Sequence, residues 1–255
     1  MRRTNIISIA SHKGGVGRTT TVSSLASLFA RDGKRVLMID MDSQRNLTST
    51  FLGIKTMPHE TIFDAFCNEA ELPIISLREN LDIVPSSIEM GGIETIVSKR
   101  SGRESILENL LCPVKEKYDI IIIDCPSQHW IAMLNSFVAS TSVFVPICCD
   151  SYAAEGLIQI IQMVSLAAFS FNPFVDVDGI VITRYDSRRS LDAIIENELR
   201  KHYGSKVFAT RIRESSKLVQ AAVLNQDIFS YDPGCRGAQD YVELYNEIKS
   251  RLEDI

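Results

Sequence analysis

Ten residues near the start of the chain, Ser11-His12-Lys13-Gly14-Gly15-Val16-Gly17-Arg18-Thr19-Thr20, combine three glycines, two strong cations and two adjacent hydroxyls. Glycines let backbone N–H groups turn toward one point without Cβ clashes, and the first turn of a following helix adds more donors. Such a cradle suits a phosphate, and Thr19 offers its hydroxyl to a Mg²⁺ that a phosphate brings with it. The stretch departs from the pattern G-x-x-x-x-G-K-[ST], because His12 stands at the first glycine and Arg18 at the lysine. On this stretch alone, a bland turn between strand and helix stays open. Two carboxylates sharpen the reading. Asp42 follows the apolar run Val36–Asp40, and Asp124 ends Tyr118-Asp119-Ile120-Ile121-Ile122-Ile123-Asp124. Carboxylates at the C-terminal ends of strands lie on the rim where α/β sheets bind ligands, and an Asp after a buried strand can hold a Mg²⁺ shell through water.

The elements that must position these groups follow from the pattern of apolar residues. Ile6–Ala10 reads as a buried strand, and Thr21–Ala30 carries Val22, Leu25, Ala26, Leu28 and Phe29 at helical spacing. Asp32-Gly33-Lys34 is a stop and turn. The four consecutive isoleucines predict a central parallel strand buried on both faces. Further strands are expected at 81–85, 142–147 and 178–183. Helices are expected at 61–66, within 88–111, from 152 to about 168, at 190–202 and at 238–252. The alternation predicts an α/β fold with a mostly parallel sheet and helices on both faces, as one domain over residues 1–255.

With the loop in that context, Lys13-Gly14-Gly15-Val16-Gly17-Arg18-Thr19 resembles the deviant Walker A box K-G-G-x-G-K-[ST] of the ParA/MinD family of P-loop ATPases. Four more boxes follow in the family's order. Asp40-Met41-Asp42-Ser43-Gln44-Arg45-Asn46 resembles its D-x-D-P-Q-x-N switch, with Ser43 for Pro. Asp124-Cys125-Pro126 resembles its D-x-P-P switch, with Ser127 for the second Pro and Gln128, His129 and Trp130 where small, flexible residues are usual. Tyr152–Leu157 is similar to Y-x-A-x-E-G-L, and Tyr231–Ala238 to Y-D-P-x-S-R-G-A with Cys235 for Ser.

The resemblance implies an ATP hydrolase with ATP and Mg²⁺ as cofactors. By it, Lys13, Gly14, Gly15, Val16, Gly17, Arg18, Thr19 and Thr20 bind the nucleotide, Thr19 and Asp124 manage the metal, and Asp42 orients or accepts a proton from the attacking water. Lys13 acts catalytically in trans across an ATP-sandwich homodimer. Arg184 and Pro233 are its candidates to flank the adenine. Arg188 and Lys217 fall where chromosomal relatives carry arginines for non-specific DNA, inside a locally basic run from 184 to 217 whose alternative meaning is a solvated face. The family function implied is DNA partition, with hydrolysis stimulated by a ParB-like partner. Because a guanidinium is planar and bulkier than an ammonium, Arg18 predicts that nucleotide binds while turnover is slow or altered.

Composition fits this reading without demanding it. The chain has 255 residues, 45% hydrophobic, and a formal charge of -5, which argues weakly against wholesale nucleic-acid binding. The cysteines, at 67, 112, 125, 148, 149 and 235, form no C-x-x-C pair, so zinc and redox readings are poor; Cys125 and Cys149 are expected in the core. The apolar run after Arg2-Arg3 is too short for a signal peptide, and no stretch is expected to approach a membrane span. The cysteines fit a reducing cytoplasm, and the family resemblance implies a nucleoid-associated protein with no membrane partner. Two other readings compete. One is a MinD-like membrane-positioning ATPase, which needs a basic amphipathic C-terminal tail where this chain ends acidic. The other is a low-turnover nucleotide-binding regulator, which Arg18 and Ser127 favour. A dinucleotide-binding dehydrogenase is excluded by the absence of G-x-G-x-x-G in the loop. Trp130 is expected in the core, with a dimer interface as its alternative.

Overall fold

The computed structural model describes residues 4–253 except 69. Arg2-Arg3 and the last two residues of the acidic tip, Asp254 and Ile255, lie outside the described residues. The eight strands are β1 Asn5–Ile9, β2 Val36–Asp40, β3 Ile75–Arg78, β4 Leu81–Val84, β5 Ile120–Asp124, β6 Ser142–Cys148, β7 Val177–Tyr185 and β8 Val207–Arg213. They form one sheet in the order β3-β4-β2-β5-β1-β6-β7-β8. Every neighbouring pair is parallel except β3 with β4.

The helices are α1 Arg18–Arg31, α2 Asn46–Leu52, α3 Ile62–Asn68, α4 Ile93–Val97, α5 Ile106–Leu111, α6 Trp130–Ala139, α7 Ala153–Ser170, α8 Ser190–Tyr203, α9 Ser216–Val223, α10 Ile228–Tyr231 and α11 Arg236–Glu253. The isoleucine run divides between two cores, as period-2 geometry requires. Ile121 and Ile123 pack with α3 to α8, while Ile120 and Ile122 pack with α1 and α11. With both faces covered, β5 is buried at every residue.

Five elements go beyond the sequence expectations: β3, β8, α2, α9 and α10. β3 is an edge strand whose burial alternates residue by residue, and β8 is the opposite edge, with Arg211 and Arg213 among its exposed residues. Charged edge strands lack the apolar run that marks a buried strand. β8 still packs closely on β7. A Cβ on Gly179 would stand 2.2 Å from the Phe208 ring, so only glycine fits that site.

Two expectations are corrected. Trp130 is 42% exposed at the first position of α6 rather than in the core. And one helix, α7, is long and apolar enough by length and composition to cross a membrane. Its Ala153, Leu157, Ile160, Val164 and Ala167 are nevertheless buried in the protein's own core. Cys125 is fully buried, and Cys149 is half-buried against the same core.

Candidate functional site

Parallel pairing places the carboxyl ends of β1, β2, β5, β6 and β7 on one rim. Ile9 pairs with Asp124 and Asp124 with Asp40, so the two strand-end carboxylates are neighbours by register alone. The loop 10–17 leaves β1, which flanks β5 on the side away from β2. Gly15 and Gly17 take φ of 76° and 86°, a left-handed backbone that side-chain-bearing residues rarely adopt. Gly17 is the N-cap of α1 and supplies no side-chain cap, so the donors of the helix's first turn are left for another acceptor. The loop is braced from behind. Thr183 at the end of β7 donates to the Val16 carbonyl at 2.8 Å, and Thr21 donates to the Gly17 carbonyl at 2.8 Å while also meeting the Tyr241 hydroxyl of α11. An uncapped helix start behind left-handed glycines is an anion cradle.

The structure brings Thr19 and Asp124 together: Thr19 Oγ1 donates to Asp124 Oδ2 at 2.7 Å. The second carboxylate oxygen, Oδ1, is buried without a partner. Burial and the neighbouring Asp40 push the Asp124 carboxyl well above the ordinary carboxylate range, against the opposing pull of Arg18. A cation beside it would relieve that penalty. The residues therefore fit Mg²⁺. Among the described residues no cluster of three or more His, Cys, Asp or Glu side chains could hold a metal. The protein offers one hydroxyl and one carboxylate, which suits an ion that arrives with phosphate and water ligands.

Asp40 plays a different part from Asp42. It accepts from the Thr48 N–H at 2.8 Å, the Thr48 hydroxyl at 2.7 Å and the Asp42 N–H at 3.1 Å, and so fixes the loop that carries Asp42. Asp42 is buried and pairs with Arg18 across 3.2 Å. Arg18 is itself buried. Its Nη1 donates to the Ser11 carbonyl at 2.7 Å and reaches the Lys13 carbonyl at 3.4 Å, while its Nε has no partner. The guanidinium thus spans the loop from within and binds the carboxylate on the facing segment. Lys13 points the other way. It is exposed and pairs with Asp150, after β6, across 2.5 Å; that hydrogen bond is the main reason its ammonium is held above the ordinary lysine range.

Beside the loop opens a cleft of about 650 Å³. Its lining includes Gly15, Gly17, Arg18, Thr19 and Thr20, then Asn46 and Thr50 of α2, and Leu218 and Ala222 of α9. Arg184 stands at its mouth in a left-handed conformation, φ 53°, bonded to Glu214 at 3.1 Å and reaching the Gly15 carbonyl at 3.4 Å. Pro233 does not line the cleft. It is exposed in the turn before α11, and α9 supplies part of the apolar wall instead. Sequence reasoning misses that wall because it assigns no helix to 216–223. It misses Ser11, Asp150, Thr183 and Tyr241 too. These act through backbone carbonyls or long-range contacts, for which the sequence carries no local signal.

The basic run is mostly spent inside the chain. Arg200 and Arg211 share the buried Glu196, Arg213 binds the buried Asp240, Arg184 holds Glu214 and Lys206 holds Asp176. Arg188 projects into solvent with its side chain 87% exposed, bonded among the described residues to Asp186, whose carboxyl that guanidinium holds far below the ordinary range. Lys217 is 3.8 Å from Asp232 and lies over the Tyr231 ring. Both face solvent, but neither is without a counter-ion.

Comparison with known proteins gives concordant results. The family described as AAA domain matches residues 4–177. The chain is 38% identical over 247 residues to the sporulation initiation inhibitor protein Soj of Bacillus subtilis, covering 95% of this chain and 97% of that one. It is 33% identical over 255 residues to the chromosome partitioning protein ParA of Caulobacter vibrioides, covering 98% and 95%. Among solved structures, the cobyrinic acid a,c-diamide synthase of Mycobacterium smegmatis with bound ADP and magnesium superposes with a TM-score of 0.85 at 26% identity, covering 98% of this chain and 96% of that one.

Proposed function

The chain belongs to the ParA/Soj family of deviant Walker A P-loop ATPases, and from that premise we propose that it is a DNA-partition ATPase working as an ATP-dependent homodimer. The observation that carries the nucleotide site is the Thr19–Asp124 bond, with an unpartnered buried oxygen of Asp124 beside an uncapped helix start. Backbone N–H groups from Gly14 to Thr20 hold the phosphates, and Thr19 and Asp124 hold the metal's ligand shell. Magnesium, when bound, neutralises charge on the phosphate oxygens. Arg184 lies along the base end of the cleft.

Asp42 orients the attacking water or takes its proton. To do so it must be freed from Arg18, whose guanidinium then turns to the phosphates. Lys13 releases Asp150 and reaches the nucleotide of the facing copy, supplying the positive charge an arginine finger supplies elsewhere. That release is cheap, because an exposed ion pair contributes little. Binding of ATP and pairing of two chains become one event, and hydrolysis loosens both. Arg188 and Lys217 contact DNA phosphates without reading sequence, twice over in the dimer. A ParB-like partner stimulates hydrolysis, and the protein works on the nucleoid in the cytoplasm.

The buried Arg18–Asp42 pair favours one second reading, a nucleotide-binding regulator with little turnover. Calorimetry with Mg²⁺ and ATP, followed by turnover measured with and without DNA, separates the two. Binding with turnover supports the partition ATPase. Binding with no turnover under any condition supports the regulator, and absence of binding to the native chain, with binding equally absent for Asp124→Asn, overturns both.

A further inference from the structure

Two departures from the family's switch boxes meet in space. Ser43 Oγ and His129 Nε2 lie 3.3 Å apart and share one hydrogen bond that either atom can donate. The two segments they belong to leave the sheet side by side. Their last backbone bond runs from the Met41 N–H to the Asp124 carbonyl. Beyond it, the Ser43–His129 bond closes the gap. Gly91, in the 3₁₀ turn Ile88–Gly92, roofs the pair: a Cβ there would stand 3.7 Å from Ser43 Cβ and 4.0 Å from His129 Cε1. The segment holding His129 is also anchored from outside, since the Ile131 N–H donates to Glu94 Oε1 of α4 at 3.1 Å.

Asp42 sits between the two ties. Met41 on one side is bound to the end of β5, and Ser43 on the other is bound to the loop beyond it. Proline at position 43 has no hydroxyl and no such bond. We propose that His129 is a positioning residue: through Ser43 it locks the segment after β5 to the segment carrying Asp42, so that the two move as one unit when nucleotide binds. The proposal rests on the reading of Asp42 as the group that orients the attacking water. His129 touches neither nucleotide nor water.

Two measurements on the full chain test this. The first is ATP turnover with Mg²⁺ for the native chain, Ser43→Ala, His129→Ala, the double variant and His129→Gln. Removing one hydrogen bond predicts kcat lowered about fivefold in either alanine variant with KM unchanged, since a typical bond contributes on the order of a factor of five. The double variant should be no slower than either single one. His129→Gln, which keeps a polar nitrogen near the Nε2 position, should recover most of the loss. The second is amide hydrogen exchange without nucleotide. Ser43→Ala should speed exchange across 125–131, a segment it does not belong to. Unchanged kcat, or losses that add in the double variant, overturns the positioning role. Unchanged exchange at 125–131 overturns the tie itself. A native chain that neither binds nor hydrolyses ATP overturns the function proposed above, and the exchange measurement still decides the tie.

Discussion

Arg18→Lys is expected to raise ATP turnover. Arg18 uses two different nitrogens, Nη1 for the Ser11 carbonyl at 2.7 Å and the Lys13 carbonyl at 3.4 Å and Nη2 for Asp42 Oδ2 at 3.2 Å, and a forked group does both at once. A lysine ammonium is a single point and must choose. Phosphates held by the same loop compete with Asp42 for that single ammonium, so Asp42 is the partner expected to be given up. A charge-assisted hydrogen bond to a buried carboxylate contributes about 2 kcal/mol. If all of that opposes the freeing of Asp42, the substitution raises kcat by up to about thirtyfold; partial retention of the pair brings the expectation to about tenfold. The assay is steady-state phosphate release at saturating ATP and Mg²⁺, without DNA or partner protein, so that only the basal step is read. Calorimetry alongside must show that the variant still binds nucleotide. Equal or slower turnover in a variant that binds normally would mean that the pair does not restrain Asp42, and the argument from the buried contact would fall.

Other perturbations are read in the same way. Lys13→Gln should leave Mg·ATP binding in place but abolish the ATP-dependent dimer in sedimentation, whereas a dimer that persists would remove Lys13 from the interface. Replacing both Arg188 and Lys217 by alanine should weaken DNA binding in the presence of ATP and flatten its salt dependence by about 0.9 in log-log slope for each phosphate no longer neutralised; an unchanged slope would place the DNA surface elsewhere. Gly179→Ala should destabilise the fold by about 1–3 kcal/mol in denaturant titration, because a methyl group 2.2 Å from the Phe208 ring forces the β7–β8 contact apart. Native stability in that variant would show that the edge strand yields freely.

The nucleotide-binding core was legible because its signals are local. A glycine loop between an apolar strand and a periodic helix, and carboxylates that end apolar runs, are patterns of adjacent residues, and parallel pairing then carries Asp40 and Asp124 into register. The four isoleucines were enough to predict a strand buried on both faces. The elements that escaped, β3, β8, α2, α9 and α10, are short or lie at edges, where one exposed face dilutes the apolar pattern. Charge misled in the same region. The basic run read as one surface, but Glu196 and Asp240, buried beneath it, absorb Arg200, Arg211 and Arg213.

The sequence by itself determined the loop, its order with the two switch segments and the parallel α/β architecture, since backbone conformation and strand burial follow from residues close together in the chain; ATP and Mg²⁺ entered only as what the family resemblance implies. Only the tertiary structure decided what those groups do to one another. It turned Arg18 inward onto Asp42, Lys13 outward onto Asp150, and Ser43 onto His129. The direction in which a long side chain points depends on which acceptors other strands bring within about 3 Å, and no local spacing encodes that.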